Sequence, residues 1–106
     1  MEMVDLSKIQ GFDWDSGNID KNEKKHGVRW RECEEVFDNK PLSIFLDHLH
    51  SNSEKRYEAF GRTNDNILLT LIFTIRNNYI RVISARKQSR KEKSKFQSII
   101  SSLKLK

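Results

Sequence analysis

Arginine is concentrated near the end of one strongly β-forming segment, where it could bind an anion. The segment runs Ile80-Arg81-Val82-Ile83-Ser84-Ala85-Arg86 and passes directly into the cationic stretch Lys87-Gln88-Ser89-Arg90-Lys91. A guanidinium fork can hold a phosphate through two hydrogen bonds, and an unpaired guanidinium is costly to bury. The pattern therefore predicts a phosphate-binding surface that includes Arg81, Arg86, Lys87, Arg90 and Lys91.

A second alternating segment carries two more arginines and one acid. Arg56, Glu58 and Arg62 fall on one face of a predicted strand, and adjacent antiparallel strands could bring Arg62 near Arg86. Arg62, Arg81 and Arg86 are candidates to stabilise negative charge on a phosphate, with Arg56 beside them. The alternative is structural pairing within the sheet, for example between Arg81 and Glu58.

His26 is the natural candidate for proton transfer, with Lys25 beside it. An unperturbed histidine pKa near 6.5 lets the ring both donate and accept a proton near neutral pH. The competing interpretation is structural, because Lys25 and His26 precede Gly27 at a predicted helix C-terminus, where cations cap carbonyl groups.

The sequence predicts no metal site and no cofactor. His48 and His50 form an H-x-H pair, but a third ligand at convincing spacing is lacking. Cys33 is the single cysteine and falls on the apolar face of a predicted helix, so we expect a small core residue and a reducing, cytoplasmic setting. Glu58 could act as a base, but an ion pair is the simpler expectation.

Length and charge distribution restrict the possible classes of function. A chain of 106 residues has room for one domain, and its longest apolar run, 67–75, is too short to cross a membrane. Residues 1–60 contain nine cationic and thirteen anionic side chains, whereas residues 61–106 contain eleven and two. Such asymmetry indicates a surface for nucleic acid, an anionic membrane or an acidic protein, and the strand arginines favour nucleic acid.

The N-terminal half reads as a short strand and two helices. Residues 1–11 are expected to be a leader without a secretory signal, and residues 12–14 a strand. A helix is predicted from Asp15 or Ser16 to His26, and a second from the helical spacing of its apolar side chains, Trp30, Cys33, Val36 and Phe37. Trp14 and Trp30 are expected to anchor the core.

The C-terminal half reads as strands followed by one helix. Strands are predicted over 43–47, 56–62, 67–75 and 79–85, with an Asn77-Asn78 turn between the last two. Ser89 and Glu92 form a capping box, and an apolar stripe follows through Phe96, Ile99, Ile100 and Leu103. The predicted fold class is α+β, a twisted antiparallel sheet with two N-terminal helices and one C-terminal helix packed against it.

Several blocks of residues resemble the BrnT toxin family. They are Phe12-x-Trp14-Asp15, Asn22-x-x-Lys25-His26-Gly27-Val28, Glu32-x-x-x-Val36-Phe37-Asp38, Gly61-Arg62 and Ile80-Arg81-Val82-Ile83-Ser84-Ala85-Arg86, followed by Arg90, Glu92 and an aromatic residue at Phe96. The blocks occur in the family's order and spacing. The toxin domain is therefore expected over residues 12–100, with a C-terminal extension over 101–106.

The resemblance implies a type II toxin with a fold similar to the RelE-like ribonucleases, which cleaves RNA and inhibits translation. The implied partner is a BrnA-like antitoxin that binds DNA and represses the shared operon. Such complexes commonly contain two toxins and two antitoxins. RNA can be cleaved without metal when its 2′-hydroxyl attacks the neighbouring phosphate, provided that an enzyme orients the attack and stabilises the charge.

The chain departs from the family pattern at two positions. Asn18 stands where the family usually has lysine, and Phe96 stands where it usually has tyrosine. A tyrosine hydroxyl active in proton transfer would thus be missing, whereas a ring that only packs or stacks would be retained. Phe96 is accordingly predicted to contact RNA, together with Arg56, Lys87, Arg90 and Lys91. Two rival interpretations follow: a non-catalytic nucleic-acid-binding module, or a domain whose basic face only docks an acidic antitoxin.

Overall fold

Two short strands, three helices and a long antiparallel meander make up the chain. The computed structural model describes residues 5–50 and 52–104. The elements in chain order are β1 (Gly11–Phe12), α1 (Lys21–His26), α2 (Trp30–Asp38), β2 (Ser43–Leu46), β3 (Tyr57–Arg62), β4 (Leu68–Arg76), β5 (Tyr79–Lys87) and α3 (Arg90–Lys104). Single 3-10 turns lie at Leu6–Lys8 and His48–His50. No helix within the described ranges is long and apolar enough to cross a membrane.

The five strands form one sheet in the order β1-β5-β4-β3-β2. Strands β2 to β5 pair antiparallel, as predicted, but β1 pairs parallel to β5 through Gly11 and Phe12. The predicted α+β class is confirmed, with the correction that the sheet is mixed. A parallel pair is possible here because residues 13–78 separate β1 from β5, which allows the crossover that parallel strands require.

The first helix starts later than the sequence predicts. The side chain of Asn18 accepts a hydrogen bond from the Asp15 amide at 2.8 Å, and the Asp15 carboxylate accepts one from the Gly17 amide at 2.8 Å. These local bonds hold the backbone in turns, so the regular helix begins only at Lys21. It ends as predicted, with Gly27 in the left-handed conformation at φ 72°.

The main core lies between α2 and one face of the sheet. Val36 packs so tightly on β3 that a Cβ placed on Gly61 would lie 2.6 Å from Val36 Cγ1. The buried apolar side chains of this layer are Val28, Cys33, Val36, Ala59, Leu69, Leu71, Phe73, Ile80, Val82 and Ala85. This packing fixes β3, β4 and β5 as a rigid platform.

Helix α3 packs on the opposite face, over only part of the sheet. Its predicted capping box is present: the Ser89 amide donates to Glu92 at 2.8 Å, and the Glu92 amide donates to Ser89 Oγ at 3.2 Å. The Phe96 ring contacts the Phe60 ring edge-on at 6.1 Å between centroids. Farther along, the apolar stripe leaves the sheet, and Leu103 is 57% exposed.

Side chains complete the outer edge of β5 beyond β1. Asn18 Nδ2 donates to the Val82 carbonyl at 3.2 Å, and Asn22 Oδ1 accepts from the Ala85 amide at 3.0 Å. Lys21 Nζ donates to the Ile83 carbonyl at 3.3 Å. The segment from β1 to α1 therefore satisfies the edge backbone groups that a strand would otherwise pair.

The expected leader contributes to this arrangement where it is described. The Gln10 amide donates to the Asn78 carbonyl at 2.8 Å, and Ile9 packs against the core. Residues 1–4 lie outside the described residues, so a leader there stays a prediction. In the expected C-terminal extension, 101–104 continue α3, and 105–106 lie outside the described residues.

A β-bulge in β5 decides which way its arginines face. Ser84 lies opposite Ile72, and Val82 lies opposite Phe73, so Ile83 is an extra residue without an opposing partner. Regular alternation would send Arg81 and Arg86 to opposite faces, because they are five residues apart. The extra residue shifts the alternation by one and places both arginines on the α3 face.

Candidate phosphate-binding cleft

An open cleft occupies the part of the α3 face that the helix does not cover. It consists of two hollows of about 650 and 420 Å³, bounded by the turn at His48–His50. Asp47, Leu49 and Glu58 line both hollows. The first is completed by Ile44, Phe45, Leu46, His48 and Lys95, and the second by His50, Arg56, Ile72, Ile83, Ser84 and Arg86.

Arg86 projects from β5 into this cleft in a fixed orientation. Its two terminal nitrogens donate to the two carboxylate oxygens of Glu92 at 2.6 and 2.8 Å. The Arg86 side chain remains 41% exposed. The guanidinium lowers the pKa of Glu92 to about 2, so this carboxylate stays ionised and keeps the arginine fork oriented.

Two of the five N–H donors of Arg86 go to Glu92, and a third goes to the Lys87 carbonyl at 3.4 Å. The remaining donors can bind an oxygen atom in the cleft. A guanidinium that is already immobilised loses little further entropy when it binds a phosphate, since its rotamers are restricted beforehand. This makes Arg86 a preorganised anion-binding group.

Glu58 is one of two acids, with Asp47, that line both hollows. It lies on β3 opposite Phe45 and Ile72, and Ile72 in turn lies opposite Ser84 of β5. Burial raises the pKa of the Glu58 carboxyl, and the negative charge of Glu92 raises it further. A carboxylate with a raised pKa that shares a cleft with arginine is a candidate for proton transfer.

Cationic side chains surround this carboxylate. Arg56 lies two residues before Glu58 and lines the same hollow as Arg86. On α3, Lys95 Nζ lies 4.6 Å from the centre of the Phe45 ring, which holds it at the rim of the first hollow. At the other rim, His50 Nδ1 lies 2.9 Å from Asp47 Oδ2. The cleft therefore combines three cationic side chains, Arg56, Arg86 and Lys95, with the acids Asp47 and Glu58, and the cations are the groups that can bind an anion.

The strand register does not bring Arg62 next to Arg86, which the sequence had left as a possibility. Arg86 lies opposite Thr70, which lies opposite Phe60, so Arg62 is two residues farther along and two strands away. Phe60 and the overlying Phe96 lie between Arg62 and the Glu58 side of the face. The structure brings together Arg56 and Arg86 of the predicted residues, and places Arg62 beyond the helix, outside the cleft lining.

Arg81 has a structural role, because it forms an ion pair with Asp15. Its terminal nitrogens donate to the two carboxylate oxygens of Asp15 at 2.9 and 3.0 Å, and Asp13 lies 3.5 Å away. The side chain is only 17% exposed. The alternative of structural pairing is therefore the one observed, but the partner is Asp15 instead of Glu58. The pair ties the segment before α1 to β5.

The remaining predicted cations lie around the platform and not in the cleft lining. Lys25 and His26 end α1, which packs along β5, and neither lines either hollow. Lys87, Arg90 and Lys91 are exposed where β5 passes into α3, next to the helix turn that carries Glu92. They extend the positive surface that begins at Arg86.

The two departures from the family pattern are both buried. Asn18 is 3% exposed and is fully engaged in holding the turn before α1 to β5. Phe96 is 2% exposed and packs on Phe60. The prediction that Phe96 contacts RNA is corrected accordingly: a ring covered by the sheet cannot stack on a base, so it serves as a core residue of α3.

Cys33 and Trp14 serve the core as expected, whereas Trp30 packs on Trp14 and is not itself among the residues of the core. Cys33 is buried, and burial raises the pKa of its thiol to about 12, which leaves no thiolate nucleophile at neutral pH. The Trp14 and Trp30 rings are 6.1 Å apart, and Trp14 Nε1 donates to Glu34 at 2.8 Å. In the described part of the chain, no three metal-binding side chains cluster together.

Three residues that line the first hollow were not predicted as site residues. Glu58 was expected to form an ion pair, and Lys95 and Asp47 were not singled out. The available signal was the alternation Arg56-Tyr57-Glu58, which puts an acid and an arginine on one strand face. The positions of Lys95 and Asp47 depend on where α3 crosses the sheet and where β2 ends, and neither is encoded in local spacing.

The structure is thus a small α+β domain whose sheet carries a cleft lined by two arginines and two acids. The family profile described as "Ribonuclease toxin, BrnT, of type II toxin-antitoxin system" matches residues 14–92. The chain belongs to this family of ribonuclease toxins, as the sequence blocks predicted, and the toxin–antitoxin type implies an antitoxin partner.

A solved structure supports the fold. The 1.1 Å crystal structure of the Brucella abortus ribonuclease toxin BrnT matches with a TM-score of 0.56 and 24% sequence identity. The match covers 76% of this chain and 97% of that chain. At this identity the likeness shows a shared fold. A comparison with curated proteins gave no match.

Proposed function

We propose that this chain is an endoribonuclease that cleaves RNA without a metal ion, in the cleft between α3 and the turn at His48–His50. The observation that carries the proposal is the preorganised guanidinium of Arg86, which shares a hollow with Arg56 and Glu58. A phosphate that enters this hollow meets fixed donors on strands that the α2 core holds rigid.

The reaction that suits this arrangement is attack by the RNA's own 2′-hydroxyl on the adjacent phosphorus. Negative charge then accumulates on the non-bridging phosphate oxygens, where the free N–H groups of Arg86 would stabilise it. Arg56 would hold the same phosphate or its neighbour. The exposed cations Lys87, Arg90 and Lys91 would guide the flanking RNA backbone electrostatically.

The biological role follows from the family. We propose that cleavage of cytoplasmic RNA inhibits translation, and that a BrnA-like antitoxin, which binds DNA and represses the shared operon, neutralises the toxin. A complex of two toxins and two antitoxins is the assembly that we expect. Lys25, His26 and Arg62, which lie outside the cleft lining, are proposed as secondary contacts for RNA that extends beyond it.

Induced expression tests the proposal in cells. Wild type should arrest growth and degrade RNA, whereas Arg86→Ala should do neither at equal protein level. Arg76→Ala is the matched control, because Arg76 also forms a two-bond ion pair, with Glu54 at 2.7 and 3.0 Å, but lies outside the cleft. That variant should remain toxic.

The purified wild type should cleave RNA in the presence of EDTA and leave 2′,3′-cyclic phosphate ends. RNA binding without cleavage, together with normal growth, would contradict the enzyme and favour a binding module. Absence of RNA affinity even at low salt would favour a domain that only docks an acidic protein.

A further inference from the structure

The carboxylate of Glu58 has an unusual position for a surface acid. It is the second residue of β3 and lines both hollows, which also contain the cationic side chains Arg56, Arg86 and Lys95. The structure gives this carboxylate no hydrogen bond within the described residues, whereas Glu54 and Glu92 each accept two from an arginine. Its oxygen atoms are therefore available to a ligand in the cleft.

We propose that Glu58 is the general base that removes the proton from the attacking 2′-hydroxyl; this inference rests on the proposed ribonuclease activity. The strand register supports the assignment. Glu58 and Arg86 are two strands apart, about 10 Å across the sheet, and their side chains converge on one hollow. A phosphate bound by Arg86 would place its neighbouring ribose on the Glu58 side.

The bonds and protons in the step balance. Glu58 takes the 2′-hydroxyl proton, the 2′-oxygen bonds to phosphorus, and the bond from phosphorus to the 5′-oxygen breaks. The leaving 5′-oxygen takes a proton from water. The products are a 2′,3′-cyclic phosphate and a 5′-hydroxyl, and Glu58 returns its proton to solvent.

Charged side chains on several elements change the pKa of Glu58. Burial and Glu92 favour its protonated form, whereas Lys95 and Arg86 favour the carboxylate. The titratable and charged groups that face the cleft are Asp47, His48, His50, Arg56, Arg86, Glu92 and Lys95. The net effect raises the pKa of the Glu58 carboxyl, so its carboxylate is more basic than that of an exposed glutamate, which suits a general base.

Single-turnover cleavage by Glu58→Gln, measured across pH 4 to 8, tests the proposal. Loss of a general base typically lowers the rate by about 10² to 10⁴-fold. The acid limb of the wild-type pH–rate profile should disappear in this variant, while RNA affinity should stay equal or increase, because a negative charge has left the cleft. Glu54→Gln, which changes an acid outside the cleft, should cleave like the wild type.

Chemical rescue separates catalysis from a structural role. In Glu58→Ala, added formate should restore part of the cleavage rate, because a small carboxylate can occupy the vacated space and accept the proton. The inference is overturned if wild type cleaves and Glu58→Gln keeps both its rate and its acid limb, or if formate restores nothing in a folded Glu58→Ala. A wild type that fails to cleave any RNA overturns the proposed function itself, and the inference with it.

Discussion

Arg81 and Arg86 lie on the same strand and the same face of the sheet, and each is held by a carboxylate through two hydrogen bonds. They differ in what surrounds them. Asp15 and Asp13 cover Arg81 from the segment before α1, whereas Arg86 is held from one side by Glu92 and opens into the cleft.

The difference shows that an ion pair can serve opposite purposes. At the Arg81 end, two acids neutralise the guanidinium and tie the β1 segment to β5. At the Arg86 end, one acid fixes the orientation and leaves donors for a ligand. Exposed fractions of 17% and 41% express this contrast. Residue type alone therefore does not distinguish an arginine with donors open to a ligand from one that is used within the fold.

The largest expected effect is on catalysis at the Arg86 end. Arg86→Ala should lower the cleavage rate by about 10²- to 10³-fold, as removal of one preorganised donor to a developing oxyanion does in other enzymes. Arg86→Lys should recover only a small part, because an ammonium keeps the charge but not the fork. Cleavage of a labelled RNA under single-turnover conditions measures both variants, and near-normal activity in either would contradict this role.

The next effect concerns stability at the β5 edge. Asn22→Ala removes the buried acceptor of the Ala85 amide, so we expect a loss of about 1–3 kcal/mol in the free energy of unfolding. Urea denaturation measures it. Asn39→Ala is the control, since Asn39 donates to the Arg62 carbonyl at an exposed position and should cost less. Equal losses of unfolding free energy in the two variants would show that the buried bond from the Ala85 amide to Asn22 contributes no more than the exposed bond of Asn39.

A third effect is pH dependence, which should distinguish the two ion pairs. Arginine lowers the folded-state pKa of Glu92 to about 2 and that of Asp15 below its usual value. A carboxylate with a depressed folded-state pKa stabilises the fold above its unfolded pKa, near 4, and loses this contribution as pH falls toward the folded value.

Removing the arginine should therefore flatten the loss of stability between about pH 4.5 and pH 2. Thermal melting across this range should show more flattening for Arg86→Ala than for Arg81→Ala, because Asp15 is the more exposed carboxylate and water screens its pair. A larger change in Arg81→Ala would reverse the comparison.

The smallest expected effect is on the salt dependence of RNA affinity, and it concerns a lysine that belongs to neither the Arg81–Asp15 nor the Arg86–Glu92 ion pair. Lys91→Ala should reduce the slope of log affinity for single-stranded RNA against log salt by about 0.7, the value expected for one lost phosphate contact. Lys8→Ala, in the turn before β1, should leave the slope unchanged. Equal slopes for Lys91→Ala and wild type would remove the start of α3 from the RNA surface.

Local sequence patterns predicted most of the fold. The capping box, the Asn77-Asn78 turn and the apolar alternation define α3, β4 and β5 to within a few residues. The parallel pairing of β1 was missed, because a two-residue strand has almost no periodicity. The late start of α1 was missed because the side chain of Asn18 competes with helical hydrogen bonding.

The candidate site was predicted less completely. The sequence singled out Arg86 because arginine on a β-branched strand is conspicuous, and Arg56 because it alternates with Glu58 and Arg62, and the structure places both in the cleft lining. The bulge at Ile83 could not be predicted from alternation, yet it decides that both β5 arginines share a face. The covering of Phe96 by the sheet also depends on where α3 crosses the strands. The pairing register of distant strands, and not the composition of the sequence, decides that Arg86 lies in the cleft while Arg81 pairs with Asp15.

The most direct test compares the two arginines in one experiment. Cleavage of a labelled RNA by purified Arg86→Ala and Arg81→Ala should be measured in EDTA, below the melting temperature of each variant, and divided by the folded fraction. We predict that Arg86→Ala loses nearly all activity, whereas Arg81→Ala melts at a lower temperature but cleaves like the wild type. Normal cleavage by Arg86→Ala, with activity lost in folded Arg81→Ala, would contradict the placement of the site in the cleft.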